Sequence, residues 1–305
     1  MKIALFYYSQ SGQAYKVARN IFDVIGLPES KTENENVVIY KEIIPEQDYP
    51  FPWPKYLFFD TFPETRLSLP PSGIKPIDYS DIDDADLIVI VGQSWFLSPS
   101  LPLQSFFANQ QIKDYLSGRN VVFINVCRNM WLMTARWIKS YLKEVHANFV
   151  GHIVFQDKRP NLISAATIVR WLIHGKKDAS LILPSAGVSQ DDIMGASIFG
   201  QVIKKAVISG NYKHLQSELL TAGAINYKPS ILHIEQIGHR MFGLWARFVR
   251  RKGGFRDPHR QLRIRFFYIY LIIVLFVLSP FAQLVFYVTY PFHHISRNKM
   301  EDCSV

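Results

Sequence analysis

Lys2-Ile-Ala-Leu-Phe-Tyr-Tyr8, running straight into Ser9-Gln-Ser-Gly-Gln13, is the stretch whose reading decides the fold. Ile3 to Tyr8 is an unbroken apolar and aromatic run, the pattern of a strand covered on both faces in a parallel sheet. Two hydroxyls flanking a glycine come next. A helical pattern then opens near Gln13, with Tyr15, Val17, Ala18, Ile21, Phe22 and Ile25 on its apolar stripe, and Gly26-Leu-Pro28 ends it. Strand, small polar turn and helix make an anion site. The first helical N–H groups lack partners, the macrodipole is positive there, and Ser9 and Ser11 add hydroxyl donors. The turn predicts a bound phosphate, with the chemistry beside it.

Working outward, further buried strands are expected at Val37-Val-Ile-Tyr40, Asp86-Leu-Ile-Val-Ile-Val-Gly92, Val121-Val-Phe-Ile-Asn-Val-Cys127 and Val150 to Phe155. Helix-length patterns separate most of them, which implies right-handed βαβ crossovers and a doubly wound, five-stranded parallel sheet of the α/β class. Helical periods at 161–174, 191–208, 214–222 and 230–252 make a C-terminal helical extension. Between the second and third strands, residues 44–80 are dense in proline and aromatics around Tyr49-Pro-Phe-Pro-Trp-Pro54. Such proline density excludes a central strand or a long helix, and an insertion of this length is read as a functional flap or partner surface, with a packed Ω-loop as the alternative. The resulting division is 1–160 (with the 44–80 insertion), 161–238 for the extension, 239–265 for a basic juxtamembrane helix, 266–292 for a membrane segment and 293–305 for a tail.

Charge supports that division. The formal net charge of +9 sits almost wholly in residues 239–265, where nine basic side chains, from Arg240 to Arg265, face one acid, Asp257. The remainder is near neutral, so nucleic acid is not an expected partner. Phe266 to Phe292 contains no Asp, Glu, Lys or Arg, longer than the ~20 apolar residues that span a bilayer. Tyr268, Tyr270, Tyr287 and Tyr290 lie towards its ends, as interfacial rings do, and Pro280 near its middle leaves a kinked span or a re-entrant hairpin open. Basic residues just before the span place the N-terminal body at the cytoplasmic face of the cytoplasmic membrane, with a single C-terminal span and membrane lipids as partners. No secretory signal is read ahead of the first strand. Cys127 and Cys303 offer neither a disulfide framework nor metal spacing, and His152, His174, His233 and His239 are scattered, so no metal is expected.

In an open parallel sheet, ligands bind beyond the carboxyl ends of the strands. Three loops there are unusual: Ser9 to Gln13, Gln93 to Ser100, and Arg128-Asn-Met-Trp131. The first supplies phosphate donors through Ser9, Ser11, Gly12 and Gln13. The second offers Ser94 and the flat surfaces of Trp95 and Phe96. The third adds the cation of Arg128 and the amide of Asn129. A planar heteroaromatic carrying one terminal phosphate satisfies all three. No general base stands out; Tyr8, Asp60 and Arg128 are the weak catalytic candidates, and Cys127 reads as a core thiol.

These residues resemble the flavodoxin-like fold, whose first loop follows a Thr/Ser-x-Thr/Ser-Gly-x-Thr/Ser pattern around the phosphate of FMN. Ser9, Ser11 and Gly12 match that pattern, and Ala14 stands where its last hydroxyl would be. The resemblance covers roughly residues 1–160 and implies an FMN-dependent oxidoreductase, with NAD(P)H left open as reductant. A narrower resemblance rests on Tyr7-Tyr-Ser-Gln-Ser-Gly-Gln13, Pro50-Phe-Pro-Trp-Pro54, Phe59-Asp-Thr-Phe-Pro-Glu64, Trp95-Phe-Leu-Ser-Pro-Ser-Leu-Pro102, Cys127-Arg-Asn-Met-Trp-Leu-Met133 and Ile237-Gly-His-Arg240. These segments are similar to bacterial proteins of dialkylresorcinol biosynthesis, commonly labelled dialkylresorcinol condensing enzymes. A condensing step needs an activated cysteine, which Cys127 does not supply. The narrower resemblance then implies flavin-dependent aromatisation of a dialkyl cyclohexanedione to a resorcinol, with a separate ketosynthase and acyl carrier making the carbon bonds. The competing readings are a generic membrane-associated NAD(P)H:quinone or flavin reductase, a tethered flavodoxin-type electron carrier, and a scaffold that has lost its flavin.

Overall fold

Six strands make the central sheet: β1 (Lys2–Tyr7), β2 (Val37–Glu42), β3 (Leu87–Trp95), β4 (Ser98–Pro99), β5 (Asn120–Cys127) and β6 (Asn148–Gln156). They belong to a computed structural model that describes residues 1–23, 37–278, 281 and 288. Five strands are parallel, in the order β2-β1-β3-β5-β6, with Ile3 beside Leu87, Ile88 beside Val121 and Val121 beside Phe149. The sequence predicts five strands. The sixth, β4, folds back antiparallel on the end of β3 and pairs Ser94 with Pro99. Two residues ending in a proline carry no periodicity, which is why it escapes the pattern.

The unbroken apolar runs follow from cover on both faces. Along β1 the side chains alternate, Ile3 and Leu5 to one side, Ala4 and Phe6 to the other. On the first side they meet α1 (Gln13–Phe22), α8 (Gln190–Met194), α9 (Ser197–Ser209) and α10 (Leu215–Thr221). On the second they meet α4 (Leu101–Ala108), α5 (Gln110–Leu116) and α6 (Leu132–Glu144). The extension thus shares with α1 the cover of one face of the sheet. Helix α9 lies so close to α1 that a Cβ on Gly200 would stand 1.9 Å from the Ile21 carbonyl oxygen.

The 44–80 insertion holds two six-residue helices, α2 (Lys55–Asp60) and α3 (Phe62–Leu67). The long α11 (Pro229–Arg250) and the apolar α12 (Gln261–Ile273) pack on it, while α7 (Asn161–His174) lies at its other side. Phe62 stacks on Phe267 with ring centroids 3.6 Å apart and planes 4° from parallel, inside a cluster shared with Phe59, Phe242 and Ile264. The insertion is therefore the seat of the C-terminal helices.

Pro258–Leu278 is one helix of 21 residues, long and apolar enough to cross a membrane by length and composition. Leu262, Phe266, Ile269, Ile273 and Leu278 are exposed along it. Of the predicted 266–292 segment, Pro280, Tyr287 and Tyr290 lie outside the described residues, as does the 293–305 tail. The basic stretch before it does not all face outward. Arg260 is fully buried, where Asp60 and Glu64 of the insertion receive its guanidinium. His239 is half-buried against Arg66, which donates to its carbonyl oxygen at 3.0 and 2.9 Å.

Candidate functional site

A cleft opens beyond the carboxyl ends of β1, β3 and β5. The three loops singled out in the sequence meet there: Gln10, Ser11 and Gln13 from the first, Ser94, Trp95 and Phe96 from the second, Arg128 from the third. Phe51 and Phe58 of the insertion form one wall, and Ile168, Trp171 and Leu172 of α7 form another. The insertion and α7 are joined, since the Trp53 N–H donates to the Leu172 carbonyl at 2.7 Å and Phe51 meets Trp171 edge-on at 5.8 Å. Gln10 ties the insertion to the phosphate turn by donating to the Tyr49 and Pro50 carbonyls at 3.2 and 3.3 Å.

Gly12 caps α1 in the left-handed conformation, φ 78°, which a glycine adopts at little cost. The Ser9 hydroxyl accepts the Tyr15 N–H at 3.0 Å, and the Gln13 and Ala14 N–H groups have no hydrogen-bond partner among the described residues. Two unpaired amides at the positive end of a ten-residue helix form an anion seat. Lys177 Nζ stands 5.4 Å from the ring centroid of Trp171 in the cleft wall; burial and the nearby charge of Lys16 both push its pKa below the usual lysine value. The Gln13 side chain does something other than the sequence suggests. Its amide makes a two-way bridge with Val188, donating to the carbonyl and accepting from the N–H, both at 3.2 Å. Only its backbone is left for an anion.

The second loop is a strained hairpin. Phe96 and Leu97 both have positive φ, 46° and 62°, between the paired residues Trp95 and Ser98. A two-residue hairpin demands that twist, and non-glycine residues held there cost of order 1–3 kcal/mol each. Trp95 is mostly buried, edge-on to Tyr8, Tyr49 and Trp53 at 6.0, 5.5 and 5.4 Å. Ser94 lines the cleft while its hydroxyl, 3.1 Å from Asn125 Oδ1 and 2.8 Å from Thr134 Oγ1, anchors β3 to β5 and α6.

In the third loop, Arg128 donates to the Asn161 carbonyl and Oδ1 at 3.2 and 2.9 Å, and Asn129 donates to the same Oδ1 at 2.9 Å. The Asn129 Oδ1 is buried with no hydrogen-bond partner among the described residues. Burial brings Arg128 down to about 10, so it stays charged at neutral pH. Burial, reinforced by Glu235, pushes the Cys127 thiol up, which keeps it protonated. Glu235 itself reaches from α11 to the start of α6, accepting the Leu132 and Met133 N–H groups at 3.2 and 2.8 Å, and burial raises its carboxyl to about 7.

Two of the catalytic candidates stand elsewhere. Tyr8 is buried behind Trp95, with its hydroxyl held protonated by burial. Asp60 is paired with Arg260 and does not line the cleft. The sequence missed Phe51, Phe58 and the α7 wall. Their only local signal was aromatic density in the insertion, and Ile168 and Trp171 gave none.

No family model matches this chain, and no curated relative matches it. Among solved structures it is similar to a flavoprotein in complex with FMN from Lactobacillus acidophilus, at 19% identity over 56% of this chain and 97% of that one, with a TM-score of 0.38. It is similar also to a flavodoxin from the domain Archaea, at 13% identity over 68% and 99% with a TM-score of 0.36. The azoreductase AzrA aligns at 9% identity over 74% and 100%, with a TM-score of 0.30. What decides the fold is the order of the parallel strands, which runs 2-1-3-4-5 when counted along the chain. The fold is flavodoxin-like. The cleft lies at the switch point of that flavodoxin-like sheet, where β1 and β3 are neighbours and the chain departs in opposite directions.

Proposed function

We propose that this protein is an FMN-dependent oxidoreductase that works at the cytoplasmic face of a membrane on a lipophilic substrate. The observation that carries the reading is the union, in one cleft, of the Gly12 turn with its unpaired amides and a slot walled by Trp95, Phe96, Phe58 and Trp171. FMN, when bound, supplies two-electron redox chemistry. The amides of Gln13 and Ala14 and the hydroxyls of Ser9 and Ser11 suit its phosphate. The buried Asn129 Oδ1 suits an N–H on the pyrimidine edge, and the Arg128 guanidinium suits a carbonyl beside it.

The chain's own residues then do three things. The aromatic walls exclude water and align a flat ring. Arg128 polarises a substrate carbonyl while the Asn161 bridge holds its guanidinium in place. The join between the insertion and α7 ties two walls of the cleft together and holds the slot in shape for a flat small molecule.

The finer reading is that the substrate is a dialkyl cyclohexanedione, which loses two hydrogens to become a resorcinol while dioxygen or a membrane quinone takes the electrons. Its support is the sequence resemblance: the segments Pro50–Pro54, Trp95–Pro102 and Cys127–Met133 contribute to one cleft, and Phe59–Glu64 and Ile237–Arg240 belong to the helices α2, α3 and α11 that pack beside it. A ketosynthase and acyl-carrier system would supply such a molecule. The test incubates the flavin-loaded full chain with a synthetic dialkyl cyclohexanedione under air and follows the resorcinol by mass spectrometry. Resorcinol formation supports the reading. Reduction of a quinone by NAD(P)H with no resorcinol formed would replace it with the generic reductase.

A further inference from the structure

A single layer of phenylalanines separates the cleft from a second cavity at the foot of the apolar helix. This groove opens between α2 and α12. Phe58 and Phe59 are consecutive residues of α2 with ring centroids 5.1 Å apart; Phe58 lines the cleft and Phe59 lines the groove. Phe96 closes the layer, 4.9 Å from Phe58 and 6.5 Å from Phe59, at the tip of the strained hairpin.

We propose that this groove receives the alkyl chain of the membrane-dissolved substrate, an amphiphile with an anionic or enolised dicarbonyl head, and that Phe58, Phe59 and Phe96 form the partition between groove and cleft. The proposal rests on the function proposed above and names its entry subsite. Three observations carry it. The floor of the groove is apolar and aromatic, formed by Phe59, Ile264 and Tyr268. Its rim is cationic: Lys55 Nζ stands 4.0 Å from the Tyr268 ring centroid and the Arg265 guanidinium 5.6 Å from that of Tyr56, and no carboxylate lines the groove among the described residues. Its mouth runs on into the exposed apolar face of α12 at Ile269 and Ile273, so a chain dissolved in the bilayer can enter sideways. An aromatic floor with cations at its edge matches a molecule that is oily along its length and anionic at one end.

The test uses the full chain in lipid nanodiscs and a long-chain fatty acid bearing a terminal diazirine. After irradiation, adducts are expected on α2 residues 55–60 and on 264–269, with a minor set at Phe96. The double variant K55E/R265E, altered only at exposed side chains, should lose about tenfold in labelling, equivalent to ~1.4 kcal/mol. Its thermal unfolding should match that of the parent. An uncharged long-chain alcohol with the same diazirine should label the parent weakly. Adducts spread evenly over 262–278 and unmoved by charge reversal would overturn the proposal in favour of boundary lipid. Labelling of the groove by a diazirine phospholipid that excess fatty acid does not displace would overturn it too. The labelling needs no flavin, so it succeeds or fails independently of the cofactor. A kinetic arm completes it: Phe59→Trp should raise KM for a long-chain dialkyl cyclohexanedione and leave KM for its short-chain counterpart unchanged.

Discussion

Arg260, at the foot of the apolar helix, donates to both carboxylate oxygens of Glu64, at 2.6 and 2.9 Å, with neither side chain exposed. The same guanidinium reaches Asp60 Oδ1 at 2.8 Å. A planar fork between two carboxylates is a geometry that lysine cannot reproduce. The pairing fixes the apolar helix to the insertion, and the insertion in turn walls the cleft.

Breaking a buried pair from one side leaves an uncompensated charge, at a cost of about 3–5 kcal/mol. Arg260→Ala should lower stability by that amount, and Arg260→Lys by less. Denaturant unfolding of the detergent-solubilised chain checks the size, and hydrogen exchange should locate the loosening in 55–67. Unchanged exchange there would show that the insertion is held by its aromatic contacts alone.

Gln13 separates a structural role from a binding one. Gln13→Leu removes both bonds to Val188 and leaves that buried N–H and carbonyl unpaired, at about 1–3 kcal/mol for each group left unsatisfied. Stability should fall by that order. Phosphate-dependent FMN affinity should fall far less than in Gly12→Ala, whose added Cβ meets no neighbour within 4 Å yet forces a left-handed backbone on alanine. That alanine should cost about 1 kcal/mol of stability. Calorimetric titration of both variants with FMN and with riboflavin distinguishes the two effects.

Glu235 predicts a pH dependence with a definite sign. Its carboxyl is raised from 4.5 to about 7 by burial, so the folded state binds the proton more tightly than the unfolded chain. The contribution is fully present below about pH 4.5 and is lost as pH rises through 7, on the order of 3 kcal/mol from a 1.36 kcal/mol-per-unit conversion. His239 works the other way. Burial and Arg66 lower it from 6.5 to about 4, so its contribution is present above pH 6.5 and is lost as pH falls. Comparing the parent with Glu235→Gln isolates the first effect: the difference between their unfolding free energies should change from pH 5 to pH 8. A constant difference would mean that Glu235 is ionised throughout.

Much of this was legible in the chain. The apolar runs of β1, β3 and β5 admit little but buried parallel strands, and Ser9 to Gln13 marks an anion site because strand, glycine turn and helix are contiguous. The α7 wall of the cleft was not legible, for a physical reason. The Gln13–Val188 bridge spans 175 residues and the Arg260–Glu64 fork 196, so no local pattern announces either. Asp60 illustrates the same limit: its carboxylate is suited to chemistry, and a partner 200 residues away, Arg260, engages it. Strand β4 was hidden because Phe96 and Leu97 carry no glycine to signal the turn they make.

The central claim is that the cleft at the carboxyl ends of β1, β3 and β5 holds FMN. An absorption spectrum of the full chain purified in detergent, followed by titration of the stripped protein with FMN, tests it most directly. The account predicts the bands of oxidised flavin in the purified protein, or a micromolar or tighter Kd on titration, with binding weakened by Gly12→Ala. A colourless protein that shows no heat of binding with FMN would contradict it.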